Sequence, residues 1–447
     1  MAYSGYITTL KNVRAHPNAD RMLLGDCFGN TVCVGLNSTE GQLGLYLPSD
    51  GQVSEEFGKA NNLLRLRDAD GHSIPGGGYL DPDKRNIKAI SLRGVKSDGI
   101  FLPIECLEYT GVDLSELKAG DVINVVNGHD ICQKYIPRSN PRHSGAANKT
   151  KSKKINEPIA PLFAEHVDTS QLAYNLDAFK PGDQIEISLK IHGTSARTAH
   201  LPVLKGFKRT LWDKLLRRDG TPIYDWGYVS GTRRIVLENY EGGYYGSNEF
   251  REPHSKFFEG KLWQGETVYY EICGYTHTGA PIMATGDTPK DYVKEYGKKM
   301  EFSYDCHPTD INHPQSDIYV YRMTVTTPDG NIIEYSPEFM RYRCEMMNVK
   351  AVPVMWSGII PEHPGASYDD TITAGEWIKN KAEMYYDGPD PIGKTHVREG
   401  VVVRIVNRPN FAAYKHKNWL FKYVSGIAVE QIADSGIELD ADILSEL

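Results

Sequence analysis

Ile185-Glu186-Ile187-Ser188-Leu189-Lys190-Ile191-His192-Gly193-Thr194-Ser195-Ala196-Arg197 is the stretch on which the reading of this chain turns. Its first five residues form a strand-like run, and the lysine that ends it is followed by a glycine turn. A lysine placed so presents its amine to a cleft. Such an amine becomes a nucleophile when desolvation or neighbouring cations lower its pKa. An exposed lysine before a turn would be spelled the same way, so the rest of the chain has to decide.

Downstream, Val268-Tyr269-Tyr270-Glu271-Ile272-Cys273-Gly274 is an apolar strand with one carboxylate inside it. A buried carboxylate is costly unless paired, so Glu271 needs either a core cation or a ligand. In Ile318-Tyr319-Val320-Tyr321-Arg322-Met323 the two tyrosines share a face by period-two alternation, which suits core packing or a platform for a purine. Glu399-Gly400-Val401-Val402-Val403-Arg404 puts a carboxylate at the mouth of a hydrophobic strand. In Tyr414-Lys415-His416-Lys417-Asn418-Trp419-Leu420-Phe421-Lys422 the first two lysines point the same way if the segment is extended. That is ordinary for a solvated edge, and a clamp for a triphosphate.

Around this segment the 447 residues suggest two or three domains. Residues 1–136 read as short strands punctuated by Gly29-Asn30, Asp50-Gly51 and Asp70-Gly71, a small all-β barrel or sandwich. Residues 137–154 carry Pro, Gly, Ser and Lys149, Lys151, Lys153 and Lys154 with almost nothing apolar, a basic linker. Residues 155–447 mix strands with helical stretches, an α+β domain with antiparallel sheets. A net charge of −8 confines any nucleic-acid contact to local patches. One such patch is the basic run Lys205–Arg218, which fits an RNA contact and a solvated amphipathic helix equally. Seven cysteines without a CxxC pair argue for free thiols in a reducing compartment and against a structural zinc. No apolar run approaches the roughly 20 residues a membrane span needs, and the first residues lack a signal-peptide pattern. A soluble cytoplasmic protein is expected, in the host cytoplasm if the source is viral.

Each piece is ambiguous alone, but their order is distinctive. A strand-end KxHG, an acidic strand, an aromatic strand, an EGVVVR strand and a KxK strand resemble the ordered motifs of the covalent nucleotidyltransferases, the polynucleotide ligases and RNA capping enzymes. His192 in place of the commoner Asp, Ser230-Gly231-Thr232-Arg233-Arg234 and the KHKNWLFK string resemble RNA ligases in particular. Only about thirty residues follow Lys417, where DNA ligases and capping enzymes append an OB domain. Val34-Gly35-Leu36-Asn37, Gly41–Pro48 and Arg93-Gly94-Val95-Lys96-Ser97-Asp98-Gly99 resemble the N-terminal OB domain of the fifth RNA ligase family.

The resemblance implies an N-terminal OB barrel followed by a ligase-type nucleotidyltransferase domain. It implies an ATP-dependent RNA ligase that joins a 3′-hydroxyl to a 5′-phosphate through a lysyl-AMP and an RNA-adenylate, with Mg²⁺ or Mn²⁺ as cofactor. A nicked RNA duplex is the expected substrate, with no membrane and no obligate protein partner. By the same resemblance Lys190 is the nucleophile, Lys415 and Lys417 grip the α-phosphate, Arg197 and Glu271 hold the ribose, and Tyr321 rather than Tyr319 stacks on the adenine. Glu399 carries the metal, and Arg233 and Arg234 contact pyrophosphate or the 5′-phosphate of the nick. A lysine must be neutral to attack, and a divalent cation together with Lys417 favours that form. A DNA ligase or guanylyltransferase of the same superfamily, or an inactive RNA-binding protein on the same scaffold, are the alternatives.

Overall fold

A computed structural model describes residues 3–70, 72–136, 158–216, 220–237, 239–240, 248–365 and 372–434. The expected basic linker, 137–154, and the end of the basic run at Arg217 and Arg218 lie outside the described residues. The chain divides into two compact units, Met1–Arg138 with Asn418–Gln431, and Ser139–Lys417 with the C-terminal remainder.

The first unit is built of short antiparallel strands. Its largest sheet runs Ile100–Pro103, Leu43–Leu47, Gly5–Thr9, Val122–Ile123. Alternate residues of these strands, with Val53, Phe57 and Leu107, make its core. Separate three-stranded sheets hold Lys11–Ala15, Leu23–Cys27 and Asn30–Val34, and Cys132–Lys134, Gly51–Val53 and Asn86–Ile87. Among the described residues no sheet of this unit closes on itself, so these pairings do not confirm the expected barrel. Its strands are two to five residues long.

The C-terminal helix Trp419–Asp434 belongs to this unit, although in sequence it continues the second. Asn418 caps it, its Oδ1 accepting from the amides of Leu420 and Phe421 at 2.6 and 3.2 Å. Trp419 Nε1 donates to the Ser97 carbonyl at 3.3 Å, and Lys422 pairs with Asp98 at 2.5 Å. Leu420, Phe421 and Val424 are buried. The RGVKSDG string and the KNWLFK string, read separately in the sequence, are therefore neighbours in space. The compact units thus group the helix after Lys417 with the first unit, whereas the expected division kept residues 155–447 together.

The strands that build the second unit's two large sheets are β1 (Ser170–Gln171), β2 (Gln184–Leu189), β3 (Thr194–Lys208), β4 (Thr221–Gly231), β5 (Glu266–Gly274), β6 (Ser316–Thr326), β7 (Ile332–Glu334), β8 (Val354–Ile359), β9 (Gly400–Ile405) and β10 (Ala412–Lys417). They form two five-stranded sheets, β1-β10-β9-β2-β8 and β4-β3-β5-β6-β7. All pairings are antiparallel except β1 with β10. The first sheet packs Ile185, Ile187, Val401, Val403 and Ile405 against Ile378 and Ala382 of the helix Ala374–Glu383. The second packs Val268, Tyr270, Ile272, Val320 and Met323 against Met340, Cys344 and Met347 of the helix Pro337–Met347. Each sheet has one apolar face covered by a helix, which leaves the opposite faces for chemistry.

Candidate active site

Period-two alternation sorts the side chains. In β2, Ile185, Ile187 and Leu189 go to the core, so Glu186, Ser188 and the following Lys190 go to the other face. In β9 the core takes Val401, Val403 and Ile405, and the opposite face shows Val402 and Arg404. Register then carries the pattern to β10, where Lys415 lies opposite Val402 and Lys417 opposite Gly400. Lys190, Val402 and Arg404 of the first sheet, with Glu271 and Tyr321 of the second and with Arg233, His166 and Phe411, line one cavity, whereas Lys415 and Lys417 are not among its lining residues.

Two glycines let the backbones close on the lysine. A Cβ on Gly193 would stand 2.4 Å from the Ile272 carbonyl oxygen of β5. Gly400 has φ +145°, and a Cβ there would meet the His416 carbonyl oxygen at 2.0 Å. The KxHG and EGVVV strings need their glycines for these approaches. The amide of Lys190 donates to the Gly400 carbonyl at 3.0 Å, which ties the two strings together.

Glu399 is the centre of the electrostatics. It is fully buried, with Lys190 Nζ at 3.0 Å and Lys417 Nζ at 3.3 Å. Burial raises its pKa, but Lys190 and Lys417 more than offset this and hold it below the usual carboxylate range. His192 Nδ1 lies 3.8 Å from Glu399. This contact is no ion pair: burial, with Lys417 and Lys190 nearby, pushes the imidazole down to about 3 in spite of the carboxylate, so the ring is neutral at physiological pH. Burial first, then repulsion from Lys417 and Lys190, pushes Lys415 down to about 7. Lys190, Lys417 and Lys415 thus gather around Glu399, while Arg233 is paired with Asp168. Amines gathered so around one carboxylate suit the phosphates of an anionic ligand.

The aromatic end of the cavity depends on a bulge. Tyr269 pairs with Arg322 but Tyr270 pairs with Val320, so Tyr321 is the extra residue of β6. The bulge shifts the phase, which explains why Val320 and Met323 both reach the core. Tyr321 lines the cavity, while Arg322 is buried outside its lining. Tyr321 Oη is 2.8 Å from Ser195 Oγ, and its ring lies edge-on to His166 at 5.3 Å. Arg322 is sandwiched by Tyr269 and Phe411, each 4.5 Å from its guanidinium carbon, and is paired with Glu334. Burial and the cations Arg322 and Arg233 keep His166 well below its ordinary pKa, hence neutral. Tyr319 is buried and is absent from the cavity lining.

The arginines divide. Arg233 lines the cavity and pairs with Asp168 at 3.0 Å, and the more exposed Arg234 reaches the same carboxylate at 3.2 Å. Arg197 departs from the expectation. It is buried, lies outside the cavity lining, and donates to the carbonyls of Thr232, Phe163 and Ala164, with its guanidinium over the Phe163 ring. Main-chain carbonyls hold it because β3 pairs Arg197 with Gly231, next to Thr232. His166, Asp168, Phe411 and Arg322 were not singled out from the sequence. Their one signal is in hindsight the arginine after Tyr321, an unexplained charge in an apolar run.

No protein-family model matches the chain, and no curated protein matches it. Solved structures do. A ligand-free mutant of the Naegleria gruberi RNA ligase superposes with a TM-score of 0.54 at 14% identity, over 97% of this chain and 100% of that one. The same organism's RNA ligase with PPi gives 0.53 at 14%, over 93% and 96%. A mutant of it with ATP and Mn gives 0.52 at 14%, over 95% and 99%. The chain therefore has the fold of these proteins along nearly its whole described length.

Proposed function

We propose that this chain is an ATP-dependent RNA ligase that joins a 3′-hydroxyl to a 5′-phosphate through a covalent lysyl-AMP on Lys190. The observation that carries the reading is the Lys190 amine, 3.0 Å from a fully buried Glu399 that Lys417 also approaches, on a cavity lined further by Arg233 and the aromatic Tyr321. A nucleotide has the matching halves, a polyphosphate and a flat base. The neighbours of the same fold are titled as RNA ligases, and some hold ATP and Mn.

In the first step the neutral Lys190 amine attacks the α-phosphorus of ATP. An N–P bond forms, the bond to pyrophosphate breaks, and the amine loses a proton that Glu399 Oε2, at 3.0 Å, is placed to take. Lys415 and Lys417 neutralise the α-phosphate, Arg233 meets the departing pyrophosphate, and Arg234 is a further phosphate contact. Glu271 reaches the ribose. Arg197 serves that contact from behind, by holding the 163–164 and 232 backbones. Tyr321 stacks on the adenine. In the second step the AMP passes to an RNA 5′-phosphate and the lysine regains its proton. In the third the 3′-hydroxyl attacks that phosphate, a phosphodiester forms, and AMP leaves.

The residues fit a divalent cation. Glu399 Oε1 is buried without a hydrogen-bond partner, although Lys417 stands 3.3 Å away, and it is the hard oxygen that Mg²⁺ or Mn²⁺ takes. When bound at Glu399 the ion would neutralise phosphate charge and favour the neutral form of Lys190. We read the first unit, with its small antiparallel sheets, as an OB-type RNA-binding domain and a nicked duplex as the substrate. The test is incubation with α-labelled ATP or GTP and Mg²⁺ without RNA. Label on the protein from ATP, none from GTP, and none with Lys190→Ala is the expected result. Labelling by GTP would mean a guanylyltransferase, and no labelling an inactive scaffold.

A further inference from the structure

The turn that carries Lys190 has an anchor from a distant part of the second unit. The His192 amide donates to Tyr304 Oη at 2.6 Å, across 112 positions of sequence. Tyr304 is fully buried and its backbone is left-handed, φ +48°, as is that of Asp305, φ +63°. For a bulky side chain this conformation is an outlier, and two in succession have to be held by their surroundings. The Cys306 amide donates to the Ser303 carbonyl at 2.9 Å and closes that turn. Two residues earlier, Phe302 meets the His192 ring edge-on at 4.7 Å. Behind both, the buried His396 ring lies 4.5 Å from Tyr304 and 5.1 Å from Phe302. Burial also keeps the Tyr304 hydroxyl well above its ordinary pKa, so it stays neutral.

We propose that Tyr304 is a positioning residue for the nucleophile: its buried hydroxyl fixes the Lys190–Gly193 turn through the His192 amide while Phe302 holds the imidazole. The turn is then tied at three points. Its first amide is bonded to Gly400, its middle amide to Tyr304, and its glycine lies against Ile272. An amine that must attack phosphorus in line loses rate steeply when its backbone drifts. Tyr304, Phe302 and His396 are absent from the cavity lining, so affinity for ATP should be untouched. The inference rests on the proposed function for its catalytic half, and on the structure alone for the anchoring half.

Tyr304→Phe keeps the ring and removes only the hydroxyl. Self-adenylation should fall about tenfold or more in kcat, with KM for ATP within about twofold of the wild type. Hydrogen exchange in a peptide covering 190–193 should speed up, and exchange in β9 and β10 should not. A loss expressed in KM, or a kcat like the wild type's, would overturn the positioning role. Unchanged exchange at 190–193 would overturn the anchor itself, and this readout needs no nucleotide. If the wild type takes no label while exchange still responds to Tyr304→Phe, the ligase reading and the catalytic half fall and the anchor stands.

Discussion

Removing Glu399 separates two opposite electrostatic outcomes. Glu399→Ala deletes a carboxylate that is fully buried and leaves the amines of Lys190, Lys417 and Lys415 facing one another. Breaking a buried pair by deleting one partner costs roughly 3–5 kcal/mol. The lower end applies, because the Lys190 side chain is 21% exposed and can turn to water, whereas Lys417 at 6% cannot. At about 2–4 °C per kcal/mol for a unit of this size, the melting temperature should drop by roughly 6–12 °C. The pH dependence follows the sign of the shift. Glu399 is held below its ordinary 4.5, so its stabilisation is complete above that value and is lost as pH falls through the lowered one. If Glu399 were only a counter-ion, its loss would make Lys190 easier to deprotonate and label transfer would rise. If it takes the proton and carries the metal, transfer should fall at least about a hundredfold, and Mn²⁺ should restore little. The assay is single-turnover label transfer from α-labelled ATP between pH 6 and 9, beside a nucleotide-free melt. A rate at or above the wild type's, in a protein melting several degrees lower, would refute the catalytic role and leave a salt bridge.

Further expectations concern the same site and its neighbour. Lys190→Ala should take no label yet retain some sealing of pre-adenylated nicked RNA, because the last step needs no lysine nucleophile; sealing assays on both substrates check it. Lys415 is depressed from 10.5 to about 7, so the unfolded state binds the extra proton between those values and stability of the nucleotide-free protein should rise with pH across them. A polyphosphate beside Lys415 reverses the shift, so binding of a non-hydrolysable ATP analogue at pH 8 should take up a proton, a heat difference between buffers of unlike ionisation enthalpy that Lys415→Met abolishes. A fragment of residues 155–447 keeps the helix Trp419–Asp434 but loses Ser97 and Asp98, its partners in the first unit. With Leu420, Phe421 and Val424 each worth roughly 1.5–3 kcal/mol when buried, it should aggregate, whereas residues 155–418 should stay monodisperse by light scattering and self-adenylate without sealing nicked RNA.

Much of the site was legible in the linear order. Strand alternation is a local property of the backbone, so Lys190, Val402, Arg404, Lys415 and Lys417 could be assigned to faces from their spacing alone. The sequence showed a glycine turn after Lys190, but that Gly193 and Gly400 allow close backbone approaches was shown only by the structure. The alternation argument failed where one residue was inserted. At the β6 bulge the alternation of Tyr319 and Tyr321 does not extend to Met323, which is in the core, and Arg322 is buried between Tyr269 and Phe411. A bulge costs one residue's pairing and leaves no mark in composition.

What the sequence determined by itself was the strands that carry the reactive residues and the order of those residues, because these follow from side-chain period and backbone sterics within a few residues. Tertiary structure alone decided which segments meet. It turned Arg197 to the carbonyls of Phe163, Ala164 and Thr232, set Tyr304 under His192, and placed the helix after Lys417 with the first unit. Those contacts join positions tens to hundreds of residues apart. They are chosen by the simultaneous burial of apolar faces and pairing of backbone groups across the whole chain, a condition that no local window of sequence contains.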